Sequence, residues 1–368
     1  MIKSITDEKN VVLFSKLKKA AAMSDIHFGK KGNSEQHNQD CLDFIEWFCE
    51  QVRQDSDIDH VIFCGDWHEH RAALNLLTMS YSYQGAELLS KLGIPIFIIV
   101  GNHDLFHRHT RSVFSTLMFQ DLPNIYLIPE PTVISMHNGE VLLAPYLFQE
   151  EYPSLAKYEK IPVWWGHFEF KGFVISGYNI KLPHGPDHND FKGPKRIFSG
   201  HFHQRQIIDN IVYMGNTFPM DFSDSGDYHR GMVVYEYAND RLSFLDWGDC
   251  PKYIKAKLST LLDESATIPS NARVRCVIDV PLNYEESLVV KQEYLTKYDL
   301  RELNLLETDE LDDVLENTSA ELAEIVEDTD TSVNSLDGLV IQMLNNIDTD
   351  QIDRDMLVYI YSKLKVEK

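Results

Sequence analysis

Between residues 18 and 247 the chain repeats one pattern: a short apolar run that stops at Gly, Asp, Asn or His. Examples are His60-Val-Ile-Phe-Cys-Gly-Asp66, Ile94-Pro-Ile-Phe-Ile-Ile-Val-Gly-Asn-His-Asp104, Val163-Trp-Trp-Gly-His167 and Arg196-Ile-Phe-Ser-Gly-His201. Runs this short, rich in Val, Ile and aromatics, predict buried strands that each end at a turn. Helical spacing fills the gaps between the first three. Over residues 35–54 the apolar positions Cys41, Leu42, Ile45, Phe48, Cys49 and Val52 fall on one helical face, and residues 74–92 behave alike. Strand alternating with helix predicts a layered α/β domain. After Pro123 the strand patterns follow one another more directly, at residues 124–128, 132–136, 140–145, 211–214, 231–237 and 241–247. They predict a second sheet stacked on the first, an α/β/β/α four-layer sandwich over residues 1–249.

The pattern breaks near Asp249-Cys-Pro251. Beyond it, residues 271–280 read as a strand and 284–298 as a helix, enough for a small α+β cap over residues 250–300. Residues 301–332 are acidic and read as a linker. Periodicity then returns. Leu336, Leu339, Val340, Met343, Leu344 and Ile347 share one helical face; after Asp348-Thr-Asp350, so do Ile352, Met356, Leu357, Ile360, Tyr361 and Leu364. Residues 333–368 are therefore expected to form a helical hairpin.

Composition narrows the function classes. No apolar run approaches the ~18 residues of a membrane span, and residues 1–19 lack the tripartite pattern of a signal peptide. Five scattered cysteines without CxxC spacing fit reduced thiols in a cytoplasm-like compartment. The net charge of −23 argues against a nucleic-acid partner. However, 18 acidic and 5 basic residues lie from Arg301 onward, against 39 and 29 before it, so over half the excess sits in the last fifth of the chain.

The chemistry gathers where the strands end: Asp25-x-His27, Gly65-Asp66, Gly101-Asn-His-Asp104, Gly166-His167 and Gly200-His-x-His203. In an α/β sheet, loops at the carboxyl ends of strands converge on one crevice. Five such loops would gather carboxylates, an amide and several imidazoles, the donor set that a pair of divalent cations needs. Each motif alone is common. All five in order, each closing a strand, are not.

Together these motifs resemble the calcineurin-like metallophosphoesterase signature. The resemblance implies that Asp25, His27, Asp66 and His203 hold one metal ion, and that Asp66, Asn102, His167 and His201 hold the other, with Asp66 bridging. It makes His103 the residue that contacts the scissile phosphate and assists the leaving oxygen, and Asp104 the residue that orients His103. Within that superfamily, Gly65-Asp-Trp-His-Glu-His-Arg71, Trp164-Trp-Gly-His-Phe-Glu-Phe-Lys-Gly172 and Gly215-Asn-Thr-Phe-Pro-Met-Asp-Phe-Ser-Asp224 resemble loops of the SbcD-type DNA-repair nucleases, and more closely those of their bacteriophage counterparts.

This resemblance implies a DNA exonuclease or endonuclease subunit of a repair and recombination complex, working in the host cytoplasm if phage-encoded. Its partners would be DNA and an SMC-like coiled-coil ATPase docked on residues 333–368, in an assembly of two nuclease and two ATPase subunits. Two divalent ions are implied. Mn²⁺ suits the mixed oxygen and nitrogen ligands, with Mg²⁺, Fe or Zn as alternatives. Where cellular relatives carry a histidine three residues after the bridging aspartate, this chain has Glu69. Glu69, Arg71, Lys30 and Arg108 are the candidate substrate contacts, with Lys31, Arg111, Lys192, Lys195 and Arg196 as further basic residues near the expected site. The rival reading is a phosphoesterase for small nucleotides or phosphoproteins.

Overall fold

The computed structural model describes residues 11–13, 18–136, 139–175, 181–183 and 185–307. The expected hairpin at 333–368, most of the acidic linker, His137 and His184 lie outside the described residues.

Alternation along each strand builds the layers. In Lys19–Met23, Ala20 and Ala22 face one core, while Ala21 and Met23 face another. Its neighbours divide likewise: Ile62 and Cys64 turn one way, Val61 and Phe63 the other. Among the described residues the first sheet has six strands, in the order Arg241–Asp246, Gly231–Glu236, Lys19–Met23, His60–Phe63, Ile96–Ile99, Ile125–Ile128. The last four run parallel; Gly231–Glu236 is antiparallel to both its neighbours. The second sheet has seven, in the order Val11–Leu13, Thr132–Met136, Gly139–Ala144, Val163–Gly166, Arg196–Ser199, Ile211–Tyr213, Gln206–Ile208.

A core containing Ile62, Phe97, Ile99, Leu143, Trp165, Phe198 and Tyr235 joins residues from both sheets. The other face of the first sheet packs on the helices Glu35–Gln54 and Leu76–Ser90 through Phe44, Ile45, Phe48, Ala86 and Leu89. Ser34 caps the first of these helices by accepting from the His37 N–H, and Asn75 caps the second by accepting from the Leu77 N–H. The far face of the second sheet packs with a 3-10 segment, Gln149–Tyr158, and with Phe168, Phe170, Phe173 and Phe191. The α/β sandwich is as expected, and its fourth layer is built from 3-10 turns and aromatic loops.

Three elements differ from expectation. The chain before residue 18, to which the sequence assigned no element, includes Val11–Leu13, paired in parallel with Thr132–Met136 at the sheet edge. Leu105–His107 and Thr110–Phe114 form a two-stranded hairpin directly after Asp104. The linker expected from residue 301 is a strand over its first turns of sequence. Glu302–Leu306 pairs with Arg273–Val277, which pairs with Tyr253–Lys257, in a small parallel sheet carrying the helix Tyr284–Lys297. Leu303 is fully buried there, so an apolar anchor outweighs the acidic neighbourhood. This small sheet is fastened to helix Glu35–Gln54: Arg301 donates to both oxygens of Asp40 at 2.7 Å, and Arg273 donates to Gln36 at 2.8 Å.

Candidate metal centre

The loops after Lys19–Met23 and His60–Phe63 are laced together. The N–H groups of Asp25, Ile26, His27 and Phe28 donate to the carbonyls of Gly65, Asp66 and Trp67 at 2.9–3.2 Å. This lacing holds Asp25, His27 and Asp66 at φ values of 54°, 51° and 62°; His201 lies at 86°. Four of the twelve non-glycine residues in the left-handed region among the described residues are expected ligands, and at these the fold accepts backbone strain to aim side chains. The close approach also demands glycine. A Cβ on Gly101 would stand 2.1 Å from Asp66 Oδ1, and one on Gly200 would stand 1.9 Å from Ser24 Oγ.

All seven expected ligands come together. Side-chain ligand atoms of Asp25, His27 and His203 lie within 4.8 Å of one another, as do those of Asp66, His167 and His201. Asp66 stands between the two groups. Its Oδ1 accepts the His103 N–H at 2.9 Å, while Oδ2 lies 3.2 Å from His167 Nε2 and 3.9 Å from His27 Nε2. Asn102 Oδ1 completes the second group, 2.9 Å from His167 Nε2 and 3.1 Å from His201 Nδ1. On the first side, His27 Nε2 and His203 Nε2 face each other at 3.1 Å. Asp25 accepts the His201 N–H at 3.0 Å and so ties the two groups together.

Electrostatics favour cations here. Burial would raise the Asp66 carboxyl, but the imidazoles of His167, His103 and His27 outweigh it and hold Asp66 well below the usual carboxylate range. Burial opposes charge on His167, yet Asp66 and Asp25 raise that ring to about 9. Burial pushes Asp25 up to about 6 against the pull of His167. Burial and the neighbouring His167 lower His201 to about 3, and burial and His27 hold His203 well below the ordinary histidine value. His201 and His203 are thus neutral beside the ionised Asp66, as metal ligation requires, while a cation bound at the second group would displace the proton of His167. Two imidazole nitrogens turned toward each other at 3.1 Å, one of them on the buried His27 ring, also fit a shared electrophile. The residues present therefore fit a pair of divalent cations.

His103 adjoins the first group: one of its ring nitrogens lies within 4.8 Å of ligand atoms of His27 and Asp66. Its orientation differs from expectation. Nδ1 lies 2.9 Å from the Glu69 carbonyl, so a backbone group sets the ring. Asp104, expected to orient His103, instead accepts the N–H groups of Gly101, Asp66, Trp67 and His68 at 3.0–3.2 Å. It locks two site loops together. Burial, with Asp66 adding, pushes its carboxyl up to about 6.

The candidate substrate residues separate. Glu69 turns inward: its Oε2 lies 2.8 Å from His27 Nδ1 and its Oε1 lies 3.6 Å from Lys30 Nζ. Arg71 is half-buried, and Arg108 is exposed on the Leu105–Phe114 hairpin. Arg111 is buried and binds Glu151, Glu130 and the Tyr146 carbonyl, which removes it from the phosphate-facing set. Lys195 and Arg196 pair with Asp240, and Lys31 packs against the Tyr253 ring. Exposed Lys192 lies with them in the same stretch.

Two supports were not foreseen. Buried Arg230 binds Asp224 and Asp227 at 2.9 Å and donates to Asn216 and to the His203 carbonyl, fixing the loop that carries His203. His37 places Nε2 3.0 Å from the His27 carbonyl. A charged residue beside the apolar run Gly231–Glu236 was the one sequence hint of Arg230.

Residues 18–205 match the family described as calcineurin-like phosphoesterase. Over 227 residues the chain is 26% identical to exonuclease subunit 1 of Enterobacteria phage T4. That stretch covers 61% of this chain and 66% of the relative, just under two thirds of its length. Among solved structures, a dimetal phosphatase from Danio rerio matches at 10% identity with a TM-score of 0.41, over 62% of this chain and 96% of that one. The nuclease MPE of Pseudomonas putida matches at 14% identity with a TM-score of 0.28, over 61% and 87% of the two chains. No helix among the described residues is long and apolar enough to cross a membrane.

Proposed function

This chain belongs to the calcineurin-like phosphoesterase family, and on that premise we propose that it is the metal-dependent nuclease subunit of a DNA repair and recombination complex, hydrolysing phosphodiesters in DNA. The observation that carries the reading is the convergence of Asp25, His27, Asp66, Asn102, His167, His201 and His203 about one shared carboxylate, with His103 beside it. The similarity to a phage exonuclease subunit supports DNA as the substrate.

When bound, two divalent ions, Mn²⁺ preferred, would neutralise the scissile phosphate and lower the pKa of the attacking water. The chain's own groups do the rest. Asp25, His27 and His203 hold one position, Asn102, His167 and His201 the other, and Asp66 serves both. The Glu69 carbonyl accepts a hydrogen bond from the His103 Nδ1–H, which turns the opposite nitrogen toward the substrate. As an imidazolium, that ring contacts a phosphate oxygen and delivers a proton to the leaving oxygen. The same reading supplies an SMC-like ATPase partner docked on residues 333–368, and Lys30, Arg71 and Arg108 as phosphate contacts that position DNA without reading its sequence.

The test is a Mn²⁺-dependent assay on single- and double-stranded DNA, with and without the ATPase, comparing the wild type with His103→Ala. The substitution is expected to reduce cleavage by ~10²–10⁴ while two Mn²⁺ ions still bind. Undiminished cleavage would refute the role of His103. Hydrolysis of nucleotides with none of DNA in any assembly would replace the nuclease reading with the small-substrate one.

A further inference from the structure

We infer that Glu69 is a positioning residue that fixes the His27 imidazole for cation binding, so that it governs the affinity of one cation position and not of the other. The inference rests on the two-cation reading above. Glu69 lies three residues beyond Asp66, in the loop whose backbone is bound to the first site loop: its own N–H donates to the Phe28 carbonyl at 3.0 Å, and Phe28 bridges to His68. This lacing brings the Glu69 carboxylate beside the His27 ring, with Oε2 2.8 Å from Nδ1. Both side chains are shielded, His27 at 1% and Glu69 at 15% exposure, so little water screens the pair. The approach is close but bent. Neither atom makes a well-aligned hydrogen bond with any partner, so each is the other's nearest polar group in a shielded site.

A carboxylate at Nδ1 favours the tautomer with its proton there. The Nε2 lone pair is then directed at the space between His203 Nε2, 3.1 Å away, and Asp66 Oδ2, 3.9 Å away. A charged partner also raises the basicity of the ligating nitrogen. On the opposite side the corresponding support is neutral, since His167 Nδ1 lies 2.7 Å from the Cys64 carbonyl. Lys30, 3.6 Å from the outer oxygen of Glu69, favours its ionised form. The side chain and main chain of residue 69 thus orient different rings: the carboxylate holds His27, and the carbonyl holds His103.

The experiment titrates the full chain with Mn²⁺ by calorimetry, in the wild type, Glu69→Ala and Glu69→Gln, with thermal denaturation in EDTA as the control for folding. The wild type is expected to bind two ions. Glu69→Ala is expected to weaken one of them by ~10–100-fold and leave the other unchanged. Glu69→Gln, which keeps an oxygen acceptor without the charge, should fall between. In hydrolysis, the Mn²⁺ concentration for half-maximal rate should rise by a larger factor than kcat falls, because the His103 contact is made by the backbone. Wild-type affinity at both positions in Glu69→Ala would overturn the inference. So would equal weakening of both ions together with a lower melting temperature in EDTA. A wild-type chain that binds no Mn²⁺ would overturn the two-cation reading itself, and this inference with it.

Discussion

The two sides of the centre use the same ligand chemistry on different supports. On one side, His27 is propped by a carboxylate, and the loop of His203 is held by buried Arg230. On the other, His167 is propped by the Cys64 carbonyl, and Asn102 joins His167 to His201. One side is framed by charges and the other by neutral groups. Charged frames are sensitive: removing one partner of a buried ion pair strands the other, whereas a main-chain carbonyl cannot be lost by substitution. The first side should therefore be the one that mutation and acid disturb.

The residue both sides share tests the comparison hardest. Asp66→Asn keeps an oxygen for the His103 N–H but removes the charge beside His167 and His27. Both ions should weaken beyond the ~10–100-fold typical of outer-shell changes, and hydrolysis should vanish with them. If calorimetry found one ion still bound at wild-type strength, the two sides would be independent sites rather than halves of one centre.

The second test removes a support from the charged side alone. Arg230 is 2% exposed and pairs with Asp224, itself nearly buried, at 2.9 Å. Arg230→Ala leaves that carboxylate without its cation, and unfolding in urea should show a loss of ~3–5 kcal/mol. At a temperature where the variant stays folded, the ion held by His203 should weaken and the ion held by His167 should not. A stability loss below ~1 kcal/mol would mean that Asp224 finds compensation elsewhere, contrary to the buried-pair argument.

The sequence revealed most about groups that lie next to one another along the chain. Short apolar runs marked the strands, whose successive residues the structure then divides between two cores, Ala20, Ala22, Ile62 and Phe97 in one and Ala21, Met23, Val61 and Ile96 in the other. Ligands at the ends of apolar runs were legible because a strand end fixes where its next residue emerges. What stayed hidden depended on contacts between distant segments. Asp104 reads as a partner of its neighbour His103, yet its acceptors meet N–H groups 36–38 residues away. Glu69 reads as a departure from the family pattern, and only the lacing of two loops shows it against His27. Arg111 reads as a phosphate contact until Glu151, 40 residues on, takes it. Spacing carries no information about such pairs.

The smallest effect lies behind the charged side, in the buried histidines that support it. Burial lowers His37 to about 3, and lowers His68, which lies between Ser115 and Ser82 at 2.7 Å from each hydroxyl, to about 3 as well. In the unfolded chain each would titrate near ~6.5. The fold favours the neutral ring, so this stability is fully present above ~6.5 and is lost progressively as pH falls toward 3. Within that window each such group adds a slope of about 1.4 kcal/mol per pH unit. His37→Gln removes one titrating group while keeping an N–H able to reach the His27 carbonyl. Measured in EDTA between pH 7 and pH 5, the variant's stability should therefore fall less steeply than that of the wild type. Identical slopes would mean that His37 takes up its proton in the folded chain, through a local opening beside the His27 loop, and the charged side would then be looser than its hydrogen bonds imply.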